Sequence, residues 1–492
     1  MFRSIVEAVA YHAQNQPDRL CAADDIYALT FQDIWNRILE LRGRMQKLGF
    51  CAGDKLAVEC TQDTNYLVCA LACELSCVVF VPLEKHASNE RVQDIIETME
   101  PKCLVCENQY QTETLNIPAG EFYGWEKDVK GKADIAFEEF PPQEQVAEIL
   151  YSTGTTGKAK GIVITNENNV AVAENIIHGT QMKENSVELV PMPLSHSHAL
   201  RTCYANMVNG SSVVLVDGVM KVKKIFQFME QYDITAFDLS PSAANVLIKL
   251  AKKRLQQYNE KIDFIEIGSA VLEEDLKQQL CLIFPQSRLY NFYGSTEAGR
   301  SCILDFNKEQ DKPGCIGKPT KNAVFIVTDS NHKEIASNRE NPGLLAIGGR
   351  MNMKKYYQEP KLTAETMIDG FIYTSDLGYI DEEGYVYVLG RMDDVINYNG
   401  IKIPPEEIES CARRFDGVTD CACVPQKDTI SGQIPKLFVS VSSKEGFDST
   451  ELLKFLSKYI DANKMPRKVE VLPEIPRTSN GKLLRRKLRE DI

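Results

Sequence analysis

Positive charge is in deficit in this sequence, and clusters of positive charge are scarcer still. The 492 residues include 56 Lys and Arg against 69 Asp and Glu, which gives a formal net charge of −13. A general nucleic-acid binder neutralises phosphates with clustered Lys and Arg, so this balance argues against that class of protein. The one locally basic stretch is GKLLRRKLREDI at residues 481–492, which predicts a solvated helical tail.

Long uninterrupted apolar runs are also missing. Residues 66–83 come nearest to one, but Glu74 interrupts them and helix-forming residues then give way to CVVFVPL. This pattern predicts a buried helix followed by a buried strand rather than a transmembrane segment. The first twenty residues carry Glu7, His12 and Asp18 where a signal peptide requires an apolar run, so no secretory signal is expected.

The cysteines do not form the pattern of a disulfide-stabilised protein. They number fifteen, an odd count, and are scattered between Cys21 and Cys423, which predicts a reducing, cytoplasmic location. Cys103 and Cys106 have the spacing of zinc ligands, but no second pair with that spacing follows, and the two cysteines within residues 421–423 are too close to complete a standard zinc site. These thiols are predicted to lie buried in strands.

What the sequence does contain is a recurring alternation of helix and strand. Its composition, 43% apolar and 25% charged, is typical of a soluble globular protein. Apolar residues recur at helical spacing between residues 30 and 54, before the strand KLAVEC, and the same helix, turn and strand order returns at residues 89–106, 223–240 and 276–294. The predicted fold class is therefore α/β, with a large N-terminal domain of mainly parallel sheets flanked by helices.

The pattern changes in the last third of the chain. After Gly314, short strands separated by Gly, Asp and Asn turns indicate a β-rich subdomain. Beyond Arg391, a strand pair and a helix initiated at Pro404 and Pro405 open an α+β region. We therefore expect an N-terminal domain of residues 1–390 and a small C-terminal domain of residues 391–492.

One segment, YSTGTTGKAKG at residues 151–161, is rich in glycine, hydroxyl groups and lysine. It is not a Walker A loop, because Gly154 and Gly157 are too close together and Ala159 follows Lys158 where Ser or Thr is required. Strand-like sequences on both sides predict a strand–loop–strand hairpin whose amides and hydroxyls can bind anionic oxygens. A flexible polar hairpin without a ligand is the alternative.

This segment resembles the signature loop of the adenylate-forming superfamily, which includes acyl- and aryl-CoA synthetases, peptide-synthetase adenylation domains and firefly luciferase. Five further segments resemble motifs of that family in the same order, namely PLSHSH (193–198), NFYGSTEAG (291–299), YTSDLGYID (373–381), GRMDDVINYNGIKI (390–403) and PRTSNGKLLRRKL (476–488). The resemblance implies a large AMP-binding domain and a small mobile C-terminal domain. It also implies ATP, Mg²⁺ and coenzyme A, or the phosphopantetheine of a carrier protein, as cofactors.

The resemblance implies which residues hold the nucleotide. The loop that would bind the β- and γ-phosphates comprises Ser152, Thr153, Gly154, Thr155, Thr156, Gly157, Lys158 and Lys160. Within it, Thr155 is also a candidate Mg²⁺ ligand. The candidates for the nucleotide and acyl pocket are Gly268, Ser269, Ala270, Asn291, Tyr293 and Gly294, with Tyr293 lining the adenine. Asp376 would accept hydrogen bonds from the ribose hydroxyls with assistance from Arg391.

The catalytic candidates implied by the resemblance are Lys482, Thr296, Glu297 and His196. Thr296 would hydrogen-bond the α-phosphate and Glu297 would bind Mg²⁺ as a hard oxygen ligand, although a polar turn after a strand is the alternative for both. Lys482 would bridge the substrate carboxylate and the α-phosphate. The neighbouring Arg485, Arg486, Lys487 and Arg489 match no motif position and are expected on the solvated helix.

A hinge is also implied by the resemblance. Asp393 matches the position where backbone changes permit a domain rotation, which would withdraw Lys482 and present residues 396–402 for thioester formation. Gly400 would then let the pantetheine pass close to the backbone. An ordinary Asn-Gly β-hairpin is compatible with that role.

The acyl substrate is less well defined. His196 matches the residue beside the carboxylate pocket, and for His196 and His198 a place in the pocket wall is preferred to ordinary packing and to metal binding. The segment PLSHSHALRTCYANM lacks the aspartate of amino-acid-activating members, so an amino acid is disfavoured. Arg201 and Arg300 are predicted either to contact an anionic or hydroxylated substrate or to point to solvent.

The sequence thus predicts an ATP-dependent acid:thiol ligase whose partners are a small carboxylic acid, ATP and coenzyme A. A stand-alone adenylation enzyme that loads a carrier protein is the first alternative. A catalytically silent binding protein is the second, and the presence of Glu297, Asp376 and Lys482 speaks against it.

Overall fold

The computed structural model describes residues 2–85, 87–108, 110, 112–124, 139–152, 160–398, 401–428, 431–443, 446–477 and 483–490. Its helices are α1 (Ile5–Asn15), α2 (Phe31–Lys47), α3 (Thr64–Leu75), α4 (Asn89–Met99), α5 (Ala119–Tyr123), α6 (Asn166–Thr180), α7 (Ser197–Asn209), α8 (Val222–Gln231), α9 (Pro241–Leu255), α10 (Glu274–Ile283), α11 (Pro360–Thr366), α12 (Pro405–Ala412), α13 (Ser449–Leu456) and α14 (Arg485–Glu490). A short 3₁₀ helix, Gln256–Tyr258, follows α9.

The strands before the β-rich part are β1 (Leu20–Ala23), β2 (Ala28–Thr30), β3 (Lys55–Glu59), β4 (Val79–Leu83), β5 (Cys103–Val105), β6 (Leu115–Ile117), β7 (Val146–Ser152), β8 (Lys160–Thr165), β9 (Val187–Val190), β10 (Ser212–Leu215), β11 (Ala236–Leu239), β12 (Phe264–Ile267), β13 (Arg288–Ser295) and β14 (Gly299–Asp305). The later strands are β15 (Cys315–Pro319), β16 (Ala323–Thr328), β17 (Gly343–Gly349), β18 (Lys355–Tyr356), β19 (Met367–Ile368), β20 (Phe371–Ile380), β21 (Val386–Arg391), β22 (Ile396–Tyr398), β23 (Ile401–Ile403), β24 (Val418–Asp428), β25 (Gly432–Val441) and β26 (Lys468–Val471).

The chain forms two compact units. The first comprises Met1–Lys312, Gly317–Val324 and Ile347–Ile372, and the second comprises Pro313–Ile316, Phe325–Ala346 and Tyr373–Ile492. The boundary predicted between residues 390 and 391 separates the large and small domains that the family resemblance implies, and it stays a prediction.

The first unit contains two mainly parallel sheets, as the helix and strand alternation predicts. In one, the order β13-β12-β11-β9-β10-β1 is parallel throughout, and β14 and β2 add antiparallel edges. In the other, β7, β4, β3, β5 and β6 are parallel, and β8 and then β18 continue the sheet antiparallel to β7. The prediction of an α/β fold class is confirmed.

Local sequence explains several elements of this unit. Thr30 caps α2 and forms a capping box with Asp33, which satisfies amide groups that the first helical turn leaves unbonded. Every residue of α3 except Asn65 is buried, and β4 follows it, so residues 64–83 form the predicted helix and strand. In the part of the chain that the structure describes, no helix is long and apolar enough to cross a membrane.

The second unit holds β21, most of β20, parts of β15, β16 and β17, and the C-terminal α+β region, whereas β18 and β19 belong to the first unit. Its five-stranded sheet has the order β23-β22-β25-β24, with β26 parallel to β25. The apolar core of this sheet includes Ile396, Ile403, Ile408, Leu437 and Leu452, all fully buried. All fifteen cysteines of the protein are free thiols, and most are buried.

Candidate active site

The signature loop starts and ends on a paired hairpin. Strands β7 and β8 are antiparallel, with Tyr151 opposite Gly161 and Ser152 opposite Lys160, as the strand-like flanks predict. Lys160 is half-buried and its Nζ lies 5.7 Å from the centre of the Tyr356 ring. The predicted phosphate ligands Thr153, Gly154, Thr155, Thr156, Gly157 and Lys158, and the side chain of Ser152, lie outside the described residues, so their role stays a prediction.

Glu297 is held from two sides by the segment Met353–Tyr357, which we call the bridge segment. Tyr356 Oη donates a hydrogen bond to Glu297 Oε1 at 3.0 Å, and the Met353 amide donates to the Glu297 carbonyl at 2.7 Å. Burial, reinforced by the negative charge of Glu297, raises the pKa of Tyr356, so its hydroxyl stays a proton donor. The Glu297 carboxylate is therefore fixed in direction while remaining half-buried.

The bridge segment also binds the hairpin that carries the signature loop. Lys355 pairs with Val163 and Tyr356 with Ile162 in an antiparallel ladder between β18 and β8. The Tyr357 amide donates to the Gly161 carbonyl at 2.7 Å. One short strand thus links the predicted phosphate hairpin to the predicted magnesium ligand.

The turn that leads into Glu297 requires glycine at one position. Gly294 is on β13, and a Cβ atom there would overlap the carbonyl of Gly299 on the neighbouring strand. Ser295 Oγ accepts a hydrogen bond from the Ala298 amide at 3.0 Å and closes the turn around Thr296. The polar turn proposed as an alternative from the sequence is therefore present, and it positions both candidate residues.

The first residue of helix α7 contacts this turn. His196 occupies its N-cap position and is half-buried. Ser197, the first helical residue, has its Oγ 3.2 Å from Thr296 Oγ1, a hydrogen bond. The PLSHSH and GSTEAG motifs, about a hundred residues apart, are thereby brought into contact.

His198 is joined to two further residues through its ring nitrogens. Nδ1 lies 2.7 Å from Ser269 Oγ, and Nε2 contacts the carboxylate of Asp238 on β11. Ser269 follows the end of β12 and has a φ of +73°, an unusual backbone conformation for a residue other than glycine. The preceding residue is Gly268, and a Cβ atom at that position would overlap the Phe292 ring.

The remaining nucleotide-pocket candidates lie along the same sheet edge. Asn291 and Tyr293 are on β13, and Ala270 follows β12. Asn291 is buried, whereas Tyr293 and Ala270 are half-buried. The carboxyl ends of neighbouring parallel strands form the usual ligand-binding edge of an open α/β sheet, and β11, β12 and β13 all end here.

Arg201 and Arg300 do not point to solvent, which corrects one of the two outcomes predicted for them. Their side chains are 6% and 3% exposed, and they form ion pairs with Glu148 and Glu266 respectively. Arg300 also stacks on Phe292, with its Cζ 3.7 Å from the ring centre. Both arginines therefore neutralise buried carboxylates.

In the second unit, the two ribose candidates are neighbours. Asp376 on β20 is the ladder partner of Arg391 on β21, and the Met392 amide donates to the Ser375 carbonyl beside them at 2.7 Å. Asp376 is half-buried and Arg391 is exposed. Gly400 and Lys482 lie outside the described residues, and their roles stay predictions.

The basic C-terminal helix is not simply solvated, which corrects the expectation for two of its arginines. Arg485 is 13% exposed and its guanidinium binds three carboxylates, Glu409 at 2.8 Å, Glu406 at 3.1 Å and Asp394 at 3.3 Å. Arg489 donates to the Asp393 carbonyl at 3.1 Å and to Asp394 at 2.5 Å. Helix α14 is thus bonded to the predicted hinge segment, whereas Arg486 and Lys487 are exposed.

Family models match most of this chain. The model described as AMP-binding enzyme matches residues 9–357, and the model described as AMP-binding enzyme C-terminal domain matches residues 407–482. The chain belongs to the AMP-binding enzyme family. The resemblance to the adenylate-forming superfamily is confirmed.

Relatives of this chain include plant proteins named as 4-coumarate–CoA ligases. It is 29% identical over 360 residues to 4-coumarate–CoA ligase 3 of Arabidopsis thaliana, covering 71% of this chain and 64% of the relative. It is 30% identical over 362 residues to 4-coumarate–CoA ligase 2 of Oryza sativa subsp. japonica, covering 71% and 63%. The chain thus spans less than two thirds of the length of these curated relatives.

Solved structures share the fold of this AMP-binding enzyme. ATP-bound MatB from Rhodopseudomonas palustris superposes with a TM-score of 0.88 at 22% identity, covering 100% of this chain and 99% of the other. The o-succinylbenzoate CoA synthetase MenE of Bacillus subtilis, in complex with its acyl-adenylate, superposes with a TM-score of 0.87 at 22% identity, covering 98% and 97%.

Sequence reasoning missed several residues that shape the site. Asp238 and Glu266 are single acids within the apolar strands AFDL and FIEI, and Glu188 occupies a similar position in VELV. An acid inside a buried strand is a recognisable signal, because such a group must find a partner or lose its charge. Tyr356 gave no comparable signal, since its contact with Glu297 depends on the fold.

Proposed function

We propose that this AMP-binding enzyme is an ATP-dependent acid:thiol ligase that makes an acyl-adenylate and then a thioester of coenzyme A. In the first half-reaction a carboxylate oxygen attacks the α-phosphorus of ATP and pyrophosphate leaves. In the second, the thiol attacks the acyl carbonyl, AMP leaves and the thiol proton is released. The relatives named as CoA ligases favour coenzyme A over a carrier protein as acceptor.

One observation carries this proposal. At the carboxyl edge of β11, β12 and β13, Thr296 contacts Ser197 and His198 contacts Ser269, so residues from three separate motifs meet where an α/β sheet binds its ligands. We assign the acyl carboxylate and the α-phosphate to this edge, with His196 beside the carboxylate. Preorganised donors of this kind stabilise the charge that develops during in-line displacement.

The residues fit a magnesium ion at Glu297. Its carboxylate is half-buried and oriented by Tyr356, and a hard oxygen ligand suits Mg²⁺. The bound ion would neutralise charge on the phosphate oxygens. The signature loop would hold the departing phosphates, Asp376 and Arg391 the ribose, and Lys482 the carboxylate and α-phosphate oxygens.

We also propose a mobile C-terminal domain beginning near Asp393 and a location in the cytoplasm. The hinge proposal follows from the motif match and would let Lys482 and Gly400 serve successive half-reactions. The location is supported by fifteen free thiols, which persist in a reducing compartment.

The test is carboxylate-dependent release of pyrophosphate over a panel of aryl, short-chain, medium-chain and dicarboxylic acids, each with and without coenzyme A. Acid-dependent pyrophosphate release and thioester formation with free coenzyme A are expected. Turnover only with a phosphopantetheinylated carrier protein would favour the carrier-loading enzyme. Absence of pyrophosphate release with every acid would favour a silent binding protein.

Replacement of the predicted catalytic lysine separates the half-reactions. Lys482→Ala is expected to slow adenylation about 100-fold or more, while thioester formation from supplied acyl-AMP largely survives. Lys487→Ala, which removes an exposed lysine of the same C-terminal tail, is the matched control and should leave both half-reactions unchanged. Equal loss of the two half-reactions in Lys482→Ala would contradict the domain alternation.

A further inference from the structure

One glutamine of the first unit combines backbone strain with a buried polar side chain. Gln62 lies between β3 and α3, is 7% exposed and has a φ of +55°. This left-handed conformation is uncommon for a residue other than glycine, and such strain persists only where the surrounding structure fixes it. A buried carboxamide is also unfavourable unless its polar atoms are hydrogen-bonded. Both costs have to be offset by the contacts that the side chain makes.

The Gln62 carboxamide binds backbone groups that follow two strands of the other sheet of this unit. Its Nε2 donates to the Met192 carbonyl at 2.7 Å and to the Val216 carbonyl at 3.5 Å, and its Oε1 accepts from the Leu194 amide at 2.9 Å. Met192 and Leu194 follow β9, and Val216 follows β10. A backbone amide only donates and a backbone carbonyl only accepts, so these partners fix the orientation of the carboxamide.

Two of these three bonds are made to the β9–α7 loop, residues 191–196. A further hydrogen bond, from the His196 amide to the Pro193 carbonyl at 3.2 Å, folds the second half of the loop. His196 is the N-cap residue of α7, and Ser197, which follows it, contacts Thr296. The anchored loop thus leads directly into the residues that we assign to the acyl carboxylate and the α-phosphate.

Helix α7 itself is held by contacts that do not involve Gln62. Arg201 forms a buried ion pair with Glu148 on β7, and Tyr204 Oη donates to the same carboxylate at 3.3 Å. Loss of the Gln62 side chain would therefore release the loop while the body of the helix stays in place. The expected result is a local displacement of His196 rather than general unfolding.

We propose that Gln62 is a positioning residue for the acyl carboxylate and acts on it through the β9–α7 loop and His196. This inference rests on the proposed function for the assignment of the carboxylate to His196. In-line attack on the α-phosphorus needs the carboxylate oxygen in one orientation, so a displacement of about 1 Å can slow adenylation by about 100-fold. The adenine and the ribose are assigned to other segments, so ATP binding should not depend on Gln62.

The experiment replaces Gln62 in two ways. Gln62→Met keeps a side chain of similar length and the backbone strain but removes all three hydrogen bonds, whereas Gln62→Gly removes the hydrogen bonds and relieves the strain. Gln181 is the matched control, because it has a φ of +51° and is exposed at the C-terminal cap of α6. The same two substitutions at Gln181 should leave all kinetic constants unchanged.

Acid-dependent pyrophosphate release gives kcat and KM for the acid and for ATP. In both Gln62 variants, kcat/KM for the acid should fall by about 10-fold to 100-fold, while KM for ATP stays as in the wild type. The two variants should agree, because the hydrogen bonds and not the strain position the loop. Hydrogen exchange supplies a structural readout, in which the Leu194 and His196 amides should exchange faster and the amides in the middle of α7 should not.

Three outcomes would overturn the positioning role. They are an unchanged kcat/KM for the acid in either variant, equal losses for the acid and for ATP, or faster exchange of the loop without a kinetic effect. If Gln62→Met does not fold, Gln62→Gly, in which the strain is relieved, decides by the same criteria.

Calorimetric binding of the same acids separates this inference from the proposed function. If the wild type releases pyrophosphate with no acid, the proposed function fails, and acid binding then decides the inference alone. Weaker binding in the Gln62 variants, with unchanged binding in the Gln181 variants, supports the positioning role. Equal affinities in all the proteins, or no binding by any of them, refute it.

Discussion

Replacement of Arg485 by alanine should destabilise the second unit more than any single change on the surface of helix α14. The guanidinium of Arg485 lies between Asp394, Glu406 and Glu409, and its removal leaves three carboxylates without their shared cation. Breaking a buried ion pair by deleting one partner typically costs about 3–5 kcal/mol. Glu409 is 2% exposed and cannot recover water, whereas Asp394 and Glu406 partly can, so the low end, about 3 kcal/mol, is expected.

Hydrogen exchange of the full-length protein measures this cost where it occurs. Glu409 accepts a hydrogen bond from the Cys423 amide at 2.6 Å, so amides of β24 report on the cluster directly. A loss of about 3 kcal/mol corresponds to exchange faster by about two orders of magnitude. Arg489→Ala is the matched control, because Arg489 is 33% exposed and should cost about 1 kcal/mol or less.

The pH dependence of this effect has a defined sign. Burial, opposed in part by Arg485, raises the pKa of Glu406 from 4.5 to about 7. Because the folded protein holds the Glu406 proton more tightly than the unfolded chain does, this group contributes fully to folding stability below about pH 4.5. That contribution is lost as the pH rises through about 7. Without Arg485 the cost should therefore be greater at pH 8 than at pH 6. Equal exchange in Arg485→Ala and Arg489→Ala, or a cost that falls with rising pH, would refute the charge argument.

Two further variants test the first unit. Tyr356→Phe removes the hydrogen bond to Glu297 and should lower the adenylation rate about tenfold. When pyrophosphate release is titrated against Mg²⁺, the variant should need a higher Mg²⁺ concentration than the wild type. An unchanged titration would exclude the orienting role of Tyr356. Glu74 accepts two backbone amides at the start of α1 and burial raises its pKa to about 8, so its contribution to stability falls as the pH rises from about 4.5 to 8. Glu74→Gln should flatten that fall in thermal unfolding, whereas Glu90→Gln, at an exposed position, should not.

Local patterns in the sequence were sufficient for the fold class. Apolar periodicity identified α2 and β3, and the change from helix formers to CVVFVPL identified α3 and β4. Such patterns depend on neighbours within a few residues, and the physical preferences that cause them act over the same range. The hairpin under the signature loop was predictable for the same reason.

Charge partners could not be predicted in this way. Arg300 pairs with Glu266, 34 residues earlier, and Arg201 pairs with Glu148, 53 residues earlier, and nothing local distinguishes such an arginine from one in solvent. The expectation of a solvated C-terminal helix was wrong for Arg485 for the same reason, because its acceptors lie 76–91 residues away. Sequence located the motifs of the site, but the packing of distant strands decided which charges neutralise one another.

The bridge segment also limits how this chain can change length during evolution. Its five residues contact Glu297 at one end and Gly161 at the other, and alternate side chains of a strand face opposite sides. Insertion or deletion of a single residue between Met353 and Tyr357 would turn Tyr356 away from Glu297 and shift the ladder with β8 by one position. We therefore expect homologues to accept substitutions at exposed positions of this segment, such as Lys355, but to conserve the number of residues.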